Sequence, residues 1–262
     1  MNGGPNLPLH SDATAGRAGL PGIGDVPEAD DPVPSAKLVG SNSKDPNSRS
    51  FNLLRAQLIK RLSENGSRLV GITSPAPNAG KSFVASNLAA SLGQLPNKRT
   101  FLVDLDLRRA TIADIFGLSV TEGMTEYLVD DTVELGRIGR HFPNSNLVVY
   151  PTVAGPINSA ELMVGDRLDE FFSMARGLGD DAIVIVDLPP TFANDDAILA
   201  AEKLDGVLLV VEQGVTTKKQ LQGALQLISP TPMLGTVFNR FTGGTGDPYG
   251  YGGKYSSYYS AG

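Results

Sequence analysis

Phe51, Leu54, Leu58 and Leu62 fall on one face of a 3.6-residue period, so SFNLLRAQLIKRL predicts an amphipathic helix. Six short apolar runs follow, at 69–73, 100–105, 146–150, 182–188, 206–212 and 234–239. Several are Val, Ile and Leu with no polar alternation, the pattern of strands covered on both faces of a sheet. Helical stretches separate most of them, at 81–95, 159–178, 195–203 and 216–228. Strand alternating with helix predicts an α/β fold, a three-layer, doubly wound, mostly parallel sheet. Residues 1–48 lack apolar periodicity and are rich in Gly, Pro, Ser, Asn and Asp, which predicts a disordered arm. Within it, Ala36-Lys37-Leu38-Val39 is a candidate docking segment. The last fourteen residues, YGYGGKYSSYYSAG, hold five of the seven tyrosines, spaced by Gly and Ser, and predict a flexible tail. The expected layout is an arm over 1–48, one folded domain over 49–242 and a tail over 243–262.

The 262 residues suffice for one domain with a sizeable core. A formal net charge of −6 argues against binding a polyanion, so nucleic acid is not an expected partner. Without cysteine there are no disulfides or thiolate metal sites, as suits a reducing cytosol. No apolar run approaches the ~18–20 residues that span a bilayer. The first residues show neither the basic nor the apolar region of a secretory signal. The expectation is a cytoplasmic protein that meets a membrane only through a partner. His10 and His141 are isolated, and neither is expected to ligate a metal.

Residues 72–89 read ITSPAPNAGKSFVASNLA. A strand ends at Thr73, a loop follows, and Gly80-Lys81-Ser82 opens a helix. Unsatisfied N–H groups and positive partial charge at a helix start favour a phosphate there. Pro77, Asn78, Ala79, Gly80, Lys81, Ser82 and Phe83 are therefore the candidate nucleotide-binding residues. Lys81 would reach the β- and γ-phosphates of ATP, the Ser82 hydroxyl would hold Mg²⁺, and Gly80 would allow close backbone approach. The first position of such loops is usually glycine; here it is Pro75. The competing reading is a lysine that caps a structural loop.

Two further apolar runs end in carboxylates: FLVDLDLRR supplies Asp104 and Asp106, and IVIVDLPP supplies Asp187. In a parallel sheet the C-terminal strand ends share one crevice, so all three should face the loop before Lys81. An unpaired carboxylate is costly to bury, and a Mg²⁺–phosphate complex would offset that cost. Alternatively, each aspartate caps the helix that follows it.

With these residues in order, the chain resembles the bacterial tyrosine kinases of capsule and exopolysaccharide systems, the CpsD/CapB type, over roughly residues 50–262. The matching motifs are Ile72-Thr73-Ser74, Pro77, Gly80-Lys81-Ser82 and Asn87-Leu88-Ala89; then Asp104, Asp106 and Arg108; then Asp187-Leu188-Pro189-Pro190; and last the tyrosine cluster. AGPINSAELM (154–163) and LGTVFNR (234–240) also match. The resemblance implies a P-loop fold of the MinD/ParA-like class. It implies a protein-tyrosine kinase using ATP and Mg²⁺, with Lys81 on phosphate and Ser82, Asp106 and Asp187 toward Mg²⁺. Asp104 would be the catalytic base, its division of roles with Asp106 open, and Asn239 would contact adenine.

The phosphoacceptors would be Tyr249, Tyr251, Tyr255, Tyr258 and Tyr259. From Asn239 to Tyr259 an extended chain reaches about 65 Å, enough for its own site or a neighbour's. The implied partners are a membrane-embedded polysaccharide co-polymerase, a tyrosine phosphatase and further copies of the chain. The family's first helix carries E-x-x-R-x-x-R, which joins subunits into a ring. Here the positions are Arg49, Asn52 and Arg55, and only the last matches. Two other functions compete: a spatial-organisation ATPase and a non-enzymatic, nucleotide-gated scaffold of the export complex. The former class carries an extra lysine early in the loop, near where this chain has Ala76, and lacks a tyrosine tail.

Overall fold

A computed structural model describes residues 26–30, 32, 34–42 and 45–242. The rest of the predicted arm and the predicted tail, with Tyr249, Tyr251, Tyr255, Tyr258 and Tyr259, lie outside the described residues. In chain order the elements are α1 (Ser48–Asn65), β1 (Leu69–Thr73), α2 (Lys81–Gly93) and β2 (Arg99–Asp104). Three short helices follow, α3 (Ile112–Phe116), α4 (Met124–Val129) and α5 (Leu135–Ile138). Then come β3 (Arg140–His141), β4 (Leu147–Tyr150), α6 (Ser159–Met163), α7 (Asp166–Arg176) and β5 (Ala182–Asp187). The last are α8 (Asp196–Ala201), β6 (Gly206–Glu212), α9 (Lys218–Ile228) and β7 (Met233–Asn239). The six apolar runs all become strands. They form one seven-stranded sheet, ordered β3-β4-β2-β5-β1-β6-β7, parallel except for β3.

The unbroken apolar runs follow from burial on both faces. Along β2, Phe101 and Val103 enter one core while Leu102 enters the other; along β5, Val184 and Val186 are opposed to Ile183 and Ile185. The first core lies under α4, α5, α7, α8 and α9, the second under α1, α2 and α3. Phe51 packs edge-on against Phe83, so the predicted α1 stripe seats this helix on α2. Hydrophobic positions set this layering because apolar burial contributes about 25 cal/mol per Å².

Three features differ from the periodicity. The stretch 159–178 forms two helices, α6 and α7, with Gly165 extended between them as the cap of α7. The edge strand β3, too short to show a period, runs antiparallel to β4. And residues 34–42, grouped by composition with the arm, lie on the domain. Leu38 is buried, Ser35 N–H donates to Ile115 C=O at 3.0 Å, and Asn87 of α2 clasps the segment. Its Oδ1 accepts from Val39 N–H at 2.7 Å and Gly40 N–H at 2.8 Å, while its Nδ2 donates to Lys37 C=O at 2.9 Å. The strap fits because Gly40 has no side chain: a Cβ there would stand 2.1 Å from the Asn87 carbonyl oxygen.

Asn87→Ala leaves two strap N–H groups without their acceptor. It should cost about 2 kcal/mol of stability in urea unfolding and expose the 34–42 segment to protease first. An unchanged cleavage rate there would disprove the clasp.

Candidate functional site

Packing order places the site. β1 lies between β5 and β6, and β2 lies on the far side of β5, so Thr73, Asp187 and Asp104 end on adjacent strands at one edge. Asp104 and Asp187 are direct register partners, and Leu188 N–H donates to Ile72 C=O at 2.9 Å. From Thr73 the chain turns through residues 74–80 into α2, Thr73 Oγ1 donating to Pro189 C=O at 2.6 Å. Asn78 has φ +67°, held by Arg109 Nη1 donating to its Oδ1 at 3.1 Å. Gly80 has φ +92°, and a Cβ there would stand 2.1 Å from Asn239 Nδ2; glycine is required both for the dihedral and for the space.

The Lys81 side chain turns into the crevice and is 7% exposed. Its ammonium lies 2.7 Å from Asp106 Oδ2, 3.3 Å from both Asp187 oxygens and 3.0 Å from Ser82 Oγ. Asp104 and Asp187 are both 0% exposed. Asp104 Oδ1 accepts from Asp106 N–H at 3.1 Å and Oδ2 from Ile112 N–H at 3.3 Å. Thr152 Oγ1 donates to the Asp104 carbonyl at 2.6 Å and fixes the strand end.

Burial, then the charge of Asp187, pushes the Asp104 carboxyl well above the usual carboxylate range against the pull of Lys81. Burial also raises Asp187, opposed by Lys81 and the Ser82 hydroxyl. Burial works against the Lys81 ammonium, yet Asp187 and Asp106 outweigh it and raise its pKa.

Three acidic side chains share one ammonium, and the carboxylate oxygens that Lys81 does not neutralise suit a hard cation. Among the described residues no acidic cluster encloses a metal by itself. Ser82 and the carboxylates of Asp106 and Asp187 offer oxygens beside the helix start.

Thus Lys81, Ser82, Asp104, Asp106 and Asp187 meet as their positions in the sequence require. Pro77, Asn78, Ala79 and Gly80 form the loop, and Asn239 joins it, its Nδ2 donating to Ala79 C=O at 2.8 Å. Phe83 differs: its ring packs on Phe51, leaving only its backbone at the helix start to face a phosphate. Arg108 Nε donates to Ser159 Oγ at 3.0 Å and lies 3.9 Å from Asp196 Oδ2, tying the second motif to the 154–163 segment. Sequence reasoning missed Arg109 and Thr152; neither carries a period or a motif that marks it.

The sheet order and the loop from β1 into the lysine that opens α2 define a P-loop fold of the MinD/ParA-like class. No family model matches the chain. The tyrosine-protein kinase etk of Escherichia coli (strain K12) is 32% identical over 189 residues, covering 72% of this chain and 26% of that protein. A putative tyrosine-protein kinase EpsB of Ralstonia nicotianae is 30% identical over 216 residues, 82% of this chain and 28% of that protein. The chain thus spans about a quarter of the length of these relatives. The kinase domain of Escherichia coli tyrosine kinase ETK superposes with a TM-score of 0.72 at 27% identity, over 85% of this chain and 94% of that one. The septum site-determining protein MinD of Pyrococcus horikoshii shares the fold, with a TM-score of 0.56 at 20% identity over 67% of this chain and 71% of that one. Within the class, this chain belongs with the kinase domains of the bacterial tyrosine kinases.

Two outcomes test the site. Gly80→Ala should destabilise the protein by about 1–3 kcal/mol and loosen nucleotide, seen by calorimetry, because the φ is strained and Asn239 is displaced. Without ligand, the raised pKa of Asp104 means that its stabilising contribution is present below its unfolded value, about 3.9, and is lost as pH rises through the folded value. Unfolding measured from pH 5 to 8 should therefore shift in favour of Asp104→Asn relative to wild type as pH rises. A constant difference would show that Asp104 titrates normally.

Proposed function

We propose that the chain is an ATP- and Mg²⁺-dependent protein-tyrosine kinase that phosphorylates the tyrosines of its own C-terminal cluster. The observation that carries the reading is the meeting of Lys81, Asp104, Asp106 and Asp187 beside a helix-start phosphate cradle. Kinship with named tyrosine kinases supports it.

Phosphoryl transfer needs positioning and charge neutralisation more than covalent help. The backbone from Asn78 to Ser82 receives the phosphates, and Lys81 supplies positive charge to the γ-phosphate. Asp106, Asp187 and Ser82 would hold Mg²⁺, which when bound neutralises phosphate charge. The tyrosine oxygen forms its bond to the γ-phosphorus as the bond to the bridging oxygen breaks and ADP leaves. The phenol, with pKa about 10, gives its proton to Asp104, whose raised pKa makes it a stronger base than an ordinary carboxylate. Asn239, anchored on Ala79, would border the adenine.

The chain works at the cytoplasmic face of a membrane with a polysaccharide co-polymerase whose cytoplasmic end activates it, and a tyrosine phosphatase reverses the modification. The names of the relatives, among them a putative tyrosine-protein kinase in the cps region of Klebsiella pneumoniae, support the polysaccharide setting. Among the described residues no helix is long and apolar enough to cross a membrane. Assembly of copies through α1 would have to draw on residues already engaged within the chain: Arg55 Nη1 donates to Ser91 C=O at 2.6 Å, and Asn52 Oδ1 accepts from Ser91 Oγ at 2.9 Å.

Purified protein given ATP and Mg²⁺ should incorporate phosphate at Tyr249, Tyr251, Tyr255, Tyr258 or Tyr259, mapped by mass spectrometry, and Lys81→Met should abolish it. Undiminished labelling of Lys81→Met would defeat the assignment.

A further inference from the structure

The turn that follows β2 carries a cation that the mechanism above does not use. Both ends of the turn are fixed on the crevice. Asp106 Oδ2 lies 2.7 Å from the Lys81 ammonium, and Arg109 Nη1 donates to Asn78 Oδ1 at 3.1 Å. Asp106 C=O closes the turn by accepting from Arg109 N–H and Ala110 N–H, each at 3.0 Å. Arg108 sits between these anchors, so its backbone stands at the rim of the phosphate loop.

The Arg108 side chain is held by one nitrogen. Its Nε donates to Ser159 Oγ at 3.0 Å and lies 3.9 Å from Asp196 Oδ2. At that separation the carboxylate attracts the guanidinium by charge without engaging a donor. Among the described residues neither terminal nitrogen has a partner, and the side chain is 56% exposed. Behind it the support is rigid. Ser159 opens α6 and is buried; Asp196 opens α8 and is 1% exposed. Asp196 Oδ2 accepts from Asn194 Nδ2 at 2.6 Å, while Oδ1 is buried with no hydrogen-bond partner among the described residues. A buried carboxylate short of hydrogen bonds is costly, and closing the fork of Arg108 upon it would relieve that cost. The fold instead keeps the fork open.

We propose that Arg108 is a second phosphate cation of the crevice. Its open fork donates to the transferring phosphoryl group as negative charge moves toward ADP, and Asp196 and Ser159 position it. A planar guanidinium offers two parallel donors to a phosphate, where an ammonium offers a point charge. No bond forms or breaks at Arg108. The proposal rests on the kinase reading and adds to it a contact made in the transition state.

Calorimetry with Mg²⁺ and ADP, with and without aluminium fluoride, separates ground-state from transition-state binding. Arg108→Ala should keep ADP affinity within about twofold of wild type and lower affinity for the ADP–fluoroaluminate complex at least about a hundredfold, since an arginine in this role contributes about 10³–10⁵ in kcat. In tyrosine labelling the same variant should lose about a thousandfold in kcat with little change in KM for ATP, and added guanidinium should restore at least about tenfold. Asp196→Asn should lower kcat about tenfold by itself and have no further effect in Arg108→Ala. Equal loss of both complexes overturns the proposal, as does an Asp196→Asn loss that persists in Arg108→Ala. Full labelling by Arg108→Ala overturns it and leaves the kinase reading standing. If the fluoroaluminate complex depends on Arg108 but wild type labels no tyrosine, the phosphate role stands and the kinase reading falls.

Discussion

A single ammonium among buried carboxylates holds the crevice together. Lys81 lies within ion-pair distance of Asp106 and Asp187, and Asp104 lies beside Asp187 across one strand spacing. Like charges that close, away from water, repel strongly, and the lysine between them is what lets the three strand and loop ends converge. In the proposed reading a divalent cation would take up this excess of acid over base.

Everything around the cluster serves to aim it. β1, β5 and β2 bring their ends to one edge because alternate residues of each strand are buried in opposite cores. Gly80 lets the chain turn tightly enough for Lys81 to start a helix and still point inward, and Asn239 closes the loop from the last strand. Arg109 and Thr152 hold the flanks. Strand ends carry Asp104 and Asp187, a helix start carries Lys81, and Asp106 follows two residues beyond β2, so the loop between β1 and α2 needs to supply only backbone.

How much of this was legible follows from which signals have a period. The six longer strands were readable because burial on both faces leaves runs of Val, Ile and Leu. Asp104, Asp106 and Asp187 were readable because a charge that ends such a run must have a reason. β3 is two residues long and has no period to read. Arg109 acts on Asn78 across 31 residues, and Thr152 acts on a carbonyl 48 residues away, contacts that only the fold creates. Phe83 sat among the loop residues by position, yet its ring follows the helical spacing of the core. Asn87 stood in a motif, but its clasp on residues 37–40 was missed, although a lone amide in the apolar run SNLAASL must find partners once buried.

That amide has a mechanical meaning. α2 begins with the lysine of the crevice and, six residues later, grips the incoming chain through Asn87. The grip sits less than two turns from the phosphate cradle. A tension applied to the polypeptide upstream of residue 26 meets the edge of the sheet first, where Ala29 N–H donates to His141 C=O at 2.9 Å and His141 N–H to Pro27 C=O at 2.8 Å; only when that edge gives way does the pull pass through Asn87 to the end of α2 that Lys81 opens.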